Sequence, residues 1–194
     1  DYEANKPHDG VWDAAAGSLS LRPPLVPNLG FQGALKADIA LELGLPQGTP
    51  VRYRAGDQPN NAMSLRALEP GDVAATAGTS GVLFAVSDSI REDPKQRVNP
   101  FLHVNHSAEA PRIGTLFCLN GAGSAYSWLA NTLGVSPAEL DRLAELAEPG
   151  NGPFFLPFGN GAERLLGNDA PGATLAALDF NRHGREEIAR AVME

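Results

Sequence analysis

The chain has 194 residues, which is enough for one good-sized domain or for one domain and part of another. Its formal net charge of −8 argues against a nucleic-acid-binding surface, and it contains no apolar run of about 18 residues that could span a membrane. The single cysteine, Cys118, excludes an internal disulfide and a multi-cysteine metal site, which is typical of a protein of the reducing cytoplasm. The apolar residues around Cys118 predict a buried and unreactive thiol.

Apolar periodicity, prolines and glycines predict the order of the secondary structure. Residues 1–30 and 159–172 are rich in glycine and proline and predict loop. The predicted helices cover residues 33–43, 58–68, 121–133, 137–147 and 185 onward. The predicted strands cover residues 51–54, 73–77, 82–86, 101–104, 112–119 and 154–157, the last of them buried. Because strands alternate with helices and two of the strands form a hairpin, we expect an α/β domain with a mixed sheet.

The first candidate site is the carboxylate of Asp57, which lies between a predicted strand and a predicted helix. The strand holds this side chain rigidly, Gly56 lets a substrate approach the backbone, and the helix N-terminus favours the ionised carboxylate. An ionised carboxylate aimed at a hydroxyl can take its proton during phosphoryl transfer. From spacing alone, an Asp that only caps the helix remains the alternative.

Two glycine-rich segments are candidates for binding phosphate or nucleotide. Residues 77–81, Ala-Gly-Thr-Ser-Gly, expose consecutive N–H groups and two hydroxyls at a hairpin tip, and a plain turn is the alternative. Residues 119–125 join a strand to a helix N-terminus, where glycines let a nucleotide come close; tight packing of helix on sheet is the alternative. Neither segment has the spacing of a Walker loop or of a dinucleotide-binding motif.

Other polar and aromatic residues predict structural roles. His103 and His106 point to opposite faces of an extended segment, so we expect no metal site there. Glu163-Arg164 predicts a structural ion pair or a loop clamp. Trp12 and Trp128 are expected in the core rather than stacked on a sugar.

Taken together and in this order, the motifs resemble those of the FGGY carbohydrate kinases, members of the actin-like ATPase superfamily with a ribonuclease-H-like fold. The resemblance covers residues 30–194 and depends on the ordered set rather than on any single motif. The matching segments are residues 44–51 leading into Gly56-Asp57, 68–74, 78–82, the helix with Trp128, 155–158, 161–164 and 188–194. Within the family, residues 55–61, 75–81 and 103–106 look like the xylulokinase branch found in Bacteroides-like bacteria.

The resemblance implies a role for each matching residue. Asp57 is similar to the family's general base, which takes the proton from the sugar hydroxyl. Gln58 occupies a position that often touches the sugar, although the better-known xylulokinases have Asn there. ATP is the implied phosphoryl donor, with Mg²⁺ bridging its phosphates and no protein metal ligands assigned. The residues that resemble the family's nucleotide contacts are Gly78, Thr79 and Ser80 at the β- and γ-phosphates, with Gly123 and Ser127 beside the nucleotide.

The resemblance also implies the organisation and activity of the protein. Because the chain begins with Asp1 rather than Met and ends inside a predicted helix, we expect part of a two-domain sugar kinase. Residues 1–54 are expected to be a remnant of the amino-terminal sugar-binding domain, and residues 55–194 an incomplete nucleotide-binding domain. The expected reaction is the phosphorylation of D-xylulose to D-xylulose 5-phosphate in the cytoplasm. Another FGGY kinase, acting on ribulose, gluconate, glycerol or a similar polyol, and a non-catalytic actin-like nucleotide-binding module remain alternatives. The expected partners are the sugar and ATP, without nucleic acid or membrane, and a homodimer is one candidate oligomeric state.

Overall fold

The computed structural model describes residues 8–16, 23–91 and 93–194. The helices are α1 (Asp9–Ala16), α2 (Ala37–Leu43), α3 (Asp57–Ser64), α4 (Ala122–Leu133), α5 (Pro137–Leu146) and α6 (Arg185–Met193). The strands are β1 (Leu29–Ala34), β2 (Pro50–Tyr53), β3 (Val73–Ala77), β4 (Gly81–Ser87), β5 (Asn99–Leu102), β6 (Ile113–Leu119), β7 (Phe154–Leu156) and β8 (Thr174–Ala176). A four-stranded sheet has the order β3-β4-β6-β5, while β1 with β2 and β7 with β8 form antiparallel pairs. The predicted α/β class is confirmed.

The contacts within the chain define two units. The first unit contains residues 1–72, 86–89 and 101–114, and the second contains residues 73–85, 90–100 and 115–194. No helix in the described part of the chain is long and apolar enough to cross a membrane.

In the first unit, the helix predicted for residues 33–43 begins later than expected. Gly33 and Ala34 belong to β1, where Gly33 has a φ of 148° and pairs with Val51 of β2. This conformation favours glycine and cannot start a helix, so α2 begins only at Ala37. The predicted end of the helix is confirmed, because Gly44 adopts the left-handed conformation of a helix C-cap.

Two further predictions for the first unit are wrong. Part of the loop predicted for residues 1–30 is helical, since α1 covers Asp9–Ala16, and β1 begins within it at Leu29; residues 1–7 and 17–22 lie outside the described residues. The helix predicted for residues 58–68 ends at Ser64. Arg66 has a φ of 59°, and the N–H groups of Leu68 and Glu69 donate to the carboxylate of Asp72 instead of continuing the helix.

The second unit contains the predicted hairpin and a helical core. β3 and β4 pair antiparallel from Val73↔Ala85 to Ala77↔Gly81, which leaves residues 78–80 as the connecting loop. The side chain of Ser136 accepts the N–H of Glu139 and caps α5, the helix predicted for residues 137–147. Helices α4, α5 and α6 pack around an apolar cluster of buried residues: Leu129, Ala130, Leu140, Leu143, Ala144 and Ala189.

Several burial predictions for the second unit are corrected by the structure. Strand β7 is not buried, because Phe154 lies largely in solvent, and its partner β8 was not predicted. Cys118 is half-buried rather than buried, with Sγ 3.7 Å from Oδ1 of Asn120. Trp128 is 54% exposed and is therefore not a core residue. In the first unit, Trp12 is half-buried.

Candidate functional site

Asp57 is the first residue of α3 and follows Gly56, the N-cap residue of that helix. Its side chain is exposed, and Oδ1 accepts the main-chain N–H of Gln58 at 2.8 Å. Gly56 is the N-cap residue, and the Asp57 carboxylate bonds to one of the free N–H groups of the first turn, so its contacts also fit an Asp that caps the helix. The short bond to Gln58 orients the carboxylate, while the exposed side chain leaves it accessible to a substrate hydroxyl.

A tyrosine that the sequence did not single out anchors the same helix. The hydroxyl of Tyr53, at the end of β2, donates to Oδ1 of Asn60 at 2.8 Å. Asn60 lies three residues after Asp57, so both residues share one side of α3. The bond between Tyr53 and Asn60 therefore ties the end of the strand to the turn of helix that begins with Asp57. Gln58, the predicted sugar contact, is half-buried at the second position of α3.

The loop of residues 78–80 is bound to the first turn of α4. The N–H of Gly123 donates to the carbonyl of Gly78 at 3.0 Å, and the N–H of Ser124 donates to the carbonyl of Thr79 at 3.1 Å. In a trans peptide the carbonyl and the following N–H point in opposite directions. The N–H groups of Thr79 and Ser80 therefore point away from α4, where they can donate to an anion.

Gly123 is required by close packing rather than by an open space for a ligand. A Cβ at position 123 would lie 2.1 Å from the carbonyl oxygen and 2.8 Å from the carbonyl carbon of Gly78. Gly121 is equally confined, since a Cβ there would lie 1.6 Å from the carbonyl oxygen of Pro157. Two glycines thus allow α4 to contact the backbone of two separate loops.

A set of hydrogen bonds, which we call the Asn120 clamp, fixes the junction between β6 and α4. The N–H of Asn120 donates to both carboxylate oxygens of Glu163, at 3.1 and 3.3 Å. The Asn120 side-chain amide donates to the carbonyl of Ala162 at 2.8 Å, and the side-chain amide of Asn160 donates to the carbonyl of Asn120 at 2.8 Å. Glu163 therefore acts as the predicted loop clamp, and Arg164 separately donates from Nε to the carbonyl of Gln96.

An apolar cleft of about 280 Å³ lies along α4, within the second unit. Its aromatic wall is formed by Trp128 and Phe155, whose rings stack with centroids 6.4 Å apart and planes 11° from parallel. Ser127, the predicted nucleotide contact on α4, is exposed and does not line the cleft. The lining residues are Gly121, Ser124, Ala125, Trp128, Phe155, Pro157, Gly159, Asn160 and Ala173.

The two histidines of residues 103–106 have structural contacts in the first unit. His103 is fully buried, and its Nε2 lies 2.9 Å from the carbonyl of Ala67. Because a carbonyl can only accept, Nε2 carries the proton in this contact. Burial lowers the pKa of His103, while the contact with Ala67 opposes that shift. Nδ1 of His106 accepts the N–H of Arg112.

Comparisons with known proteins place the chain among sugar kinases, although no family model matches it. It is 29% identical over 188 residues to the xylulose kinase of Escherichia coli, covering 96% of this chain and 38% of the relative. It is 27% identical over 204 residues to the gluconokinase of Bacillus licheniformis, covering 95% of this chain and 38% of the relative. It is also 29% identical over 163 residues to a glycerol kinase of Saccharopolyspora erythraea, covering 79% and 31% respectively.

The fold is similar to that of a solved sugar kinase. The crystal structure of a xylulose kinase from Brucella ovis matches with a TM-score of 0.74 and 29% identity, covering 88% of this chain and 34% of that one. The chain thus spans between three and four tenths of the length of these relatives. The resemblance inferred from the ordered motifs is confirmed. The chain is a homologue of the FGGY carbohydrate kinases, and it has the fold of one segment of these actin-like ATPases.

Proposed function

We propose that this chain carries the catalytic base and the phosphate loop of an ATP-dependent sugar kinase. The observation that carries the proposal is the exposed carboxylate of Asp57 at the start of α3, in a chain related to sugar kinases. A module that only binds nucleotide has no need of an oriented base directly after a glycine. We also propose that residues 1–54 belong to a sugar-binding domain and residues 55–194 to a nucleotide-binding domain, in a cytoplasmic enzyme.

In the proposed reaction, Asp57 removes the proton from the acceptor hydroxyl of the sugar. The hydroxyl oxygen forms a bond to the γ-phosphorus as the bond between that phosphorus and the bridging oxygen breaks, so that ADP leaves. The proton stays on the Asp57 carboxylate until it is released to solvent. The bond from the Gln58 N–H holds Oδ1 in place during this transfer, and the side chain of Gln58 hydrogen-bonds to the sugar.

The nucleotide phosphates are proposed to bind at residues 78–80. The N–H groups of Thr79 and Ser80 point away from α4, and the two hydroxyls supply further donors. In this arrangement Gly123 contributes by letting α4 approach the loop, and the exposed Ser127 contacts the nucleotide one turn further along. Backbone N–H groups can hold phosphates without a basic surface, which is consistent with the net charge of −8.

Mg²⁺ enters this proposal as part of the substrate MgATP. No group of three or more His, Cys, Asp or Glu side chains that could hold a metal ion is found in residues 8–16, 23–91 and 93–194. We assign no step to a metal held by the protein. The ion would supply charge neutralisation on the phosphates.

D-xylulose is the proposed acceptor, because the matched relatives include xylulose kinases. The match to a gluconokinase of similar coverage keeps gluconate as the second candidate. A panel of D-xylulose, D-ribulose, gluconate and glycerol, read by coupled ADP release, separates these candidates. The whole protein, as its gene encodes it, is used because the chain spans less than half of its relatives.

The role of Asp57 is tested by Asp57→Asn, which keeps the shape of the side chain and removes its basicity. We expect sugar-dependent turnover to fall by about 10²–10⁴-fold, with ATP binding largely retained. The matched control is Asp38→Asn, since Asp38 is also an exposed acid in the first turn of a helix of the first unit. Full turnover in Asp57→Asn, or an equal loss in Asp38→Asn, contradicts the assignment of the base.

A further inference from the structure

Glu163 is a buried acid that the proposed reaction does not use. Its side chain is 0% exposed, and it lies in the second unit just before the 3-10 turn of Arg164–Leu166. Glutamate is rarely fully buried, because an ionised carboxylate loses its hydration unless hydrogen bonds replace it. Here both oxygens accept the single main-chain N–H of Asn120. The Glu163 carboxylate therefore acts on the structure through the main chain of Asn120.

Asn120 is held by three neighbouring residues of one segment. Glu163 accepts its N–H, Ala162 accepts its side-chain amide, and Asn160 donates to its carbonyl. Asn120 follows the last residue of β6 and precedes Gly121, the N-cap residue of α4. The segment of residues 160–163 therefore fixes the point at which α4 begins.

The start of α4 in turn holds the loop of residues 78–80. The N–H groups of Gly123 and Ser124 donate to the carbonyls of Gly78 and Thr79. The first turn of α4 is in direct contact with the loop, because a Cβ at position 123 would overlap the carbonyl of Gly78. A displacement of Asn120 thus moves the two N–H groups that fix the loop, and a closely packed interior transmits such a shift.

We propose that Glu163 is a positioning residue for the phosphate loop, acting through Asn120 and the first turn of α4. The inference rests on the proposed role of residues 78–80 in holding the nucleotide phosphates. Glu163 touches neither the sugar nor the nucleotide. It keeps the N–H groups of Thr79 and Ser80 aimed at the phosphates, and a misplacement of about 1 Å at such a site can cost about a hundredfold in rate.

The kinetic test compares Glu163→Ala and Glu163→Gln in the whole protein. Alanine leaves the Asn120 N–H without its acceptor, whereas glutamine keeps one acceptor oxygen, so the loss is expected to be partly rescued in Glu163→Gln. We expect KM for ATP to rise by about tenfold or more in Glu163→Ala, with KM for the sugar unchanged. An equal rise in both KM values, or no rise, overturns the inference.

A matched control separates this role from a general loss of stability. Glu187 also accepts a main-chain N–H of the second unit, that of Gly184 at 2.8 Å, but it caps α6. Glu187→Gln removes a carboxylate of the same kind, and we expect the same KM for ATP as in the unaltered protein. A rise in KM for ATP in Glu187→Gln as large as that in Glu163→Ala also overturns the inference.

Hydrogen exchange makes the inference testable even if the proposed function is wrong. We expect the hydrogen-bonded amides of Gly78, Gly123 and Ser124 to exchange faster in Glu163→Ala than in Glu187→Gln, without any nucleotide present. If the unaltered protein phosphorylates none of the panel sugars, the proposed function fails, and the exchange data alone decide whether Glu163 holds the loop. Unchanged exchange at these amides overturns the positioning role whatever the activity.

Discussion

Gly123→Ala tests the contact between α4 and the phosphate loop most sharply. The added Cβ would lie 2.1 Å from the carbonyl oxygen of Gly78, and real Cβ atoms essentially never come closer than 3.0 Å to such an atom. Helix and loop must therefore separate by about 1 Å, which strains or breaks the bonds from Gly123 and Ser124 to the loop. Overpacking of this kind costs about 1–3 kcal/mol of the free energy of unfolding.

The assay for Gly123→Ala combines urea unfolding with nucleotide titration. We expect the unfolding midpoint to fall with an unchanged m-value, because the loss concerns stability and not the area exposed on unfolding. We also expect weaker ATP binding, since the loop that carries Thr79 and Ser80 has moved. Gly184→Ala is the control, because its Cβ would meet only the ends of the flexible side chains of Glu186 and Glu187. A free energy of unfolding for Gly123→Ala within about 0.5 kcal/mol of the unaltered protein, with full ATP affinity, refutes the reasoning.

Two further predictions concern the helical core and the buried histidine. Leu140→Ala removes a fully buried side chain from the cluster between α4, α5 and α6 and should lower the free energy of unfolding by about 2–5 kcal/mol. Leu146→Ala, at an exposed position of the same helix, should change the free energy of unfolding by less than about 0.5 kcal/mol. Similar urea midpoints for the two variants would contradict the assignment of the core. Burial lowers the pKa of His103 below its ordinary 6.5, so the unfolded chain takes up a proton that the folded chain does not as the pH falls through 6.5. The free energy of unfolding therefore includes the full contribution of His103 above about pH 6.5. This contribution is lost progressively as the pH falls from 6.5 to the lower pKa of His103 in the folded state. Urea midpoints at about pH 7.5 and about pH 5.5 should differ less in His103→Gln than in the unaltered protein, and an equal difference would contradict the burial effect.

Local signals allowed much of the fold to be predicted from the sequence. Gly44 and Gly134 end their helices in the left-handed conformation, and Ser136 caps α5 through its side chain. These features depend on residues within one turn of each other, so the sequence displays them directly. The hairpin of β3 and β4 was also visible, because two apolar runs flank a glycine-rich turn.

The errors arose where distant partners decide the conformation. The helix formers that follow Gly33 predict a helix there, but its pairing with Val51 places Gly33 in β1. The sequence analysis expects Trp128 in the core, yet its ring stacks on Phe155 at the wall of a cleft. Neither Val51 nor Phe155 is near its partner in the sequence, so periodicity contained no sign of either contact.

In the candidate site, too, features set by adjacent residues can be predicted from the sequence, whereas contacts between distant residues cannot. Asp57 could be located from the sequence, because a strand, a glycine and a helix start lie side by side in the chain. The sequence predicts a loop clamp or ion pair at Glu163-Arg164, but it gives no sign of the partner Asn120, which lies 43 residues away. The resemblance predicts Gly123 beside the nucleotide, and the structure adds a packing contact with Gly78 that the sequence does not show.

The most direct test of the proposed function is to identify the product made by the whole protein from D-xylulose and MgATP. Phosphorus NMR and mass spectrometry can measure whether a sugar phosphate forms in equal amount to ADP. We predict stoichiometric D-xylulose 5-phosphate with the unaltered protein and essentially none with Asp57→Asn. ADP release that does not depend on any sugar of the panel, or equal product from both proteins, would contradict the proposal that this chain carries the base of a sugar kinase.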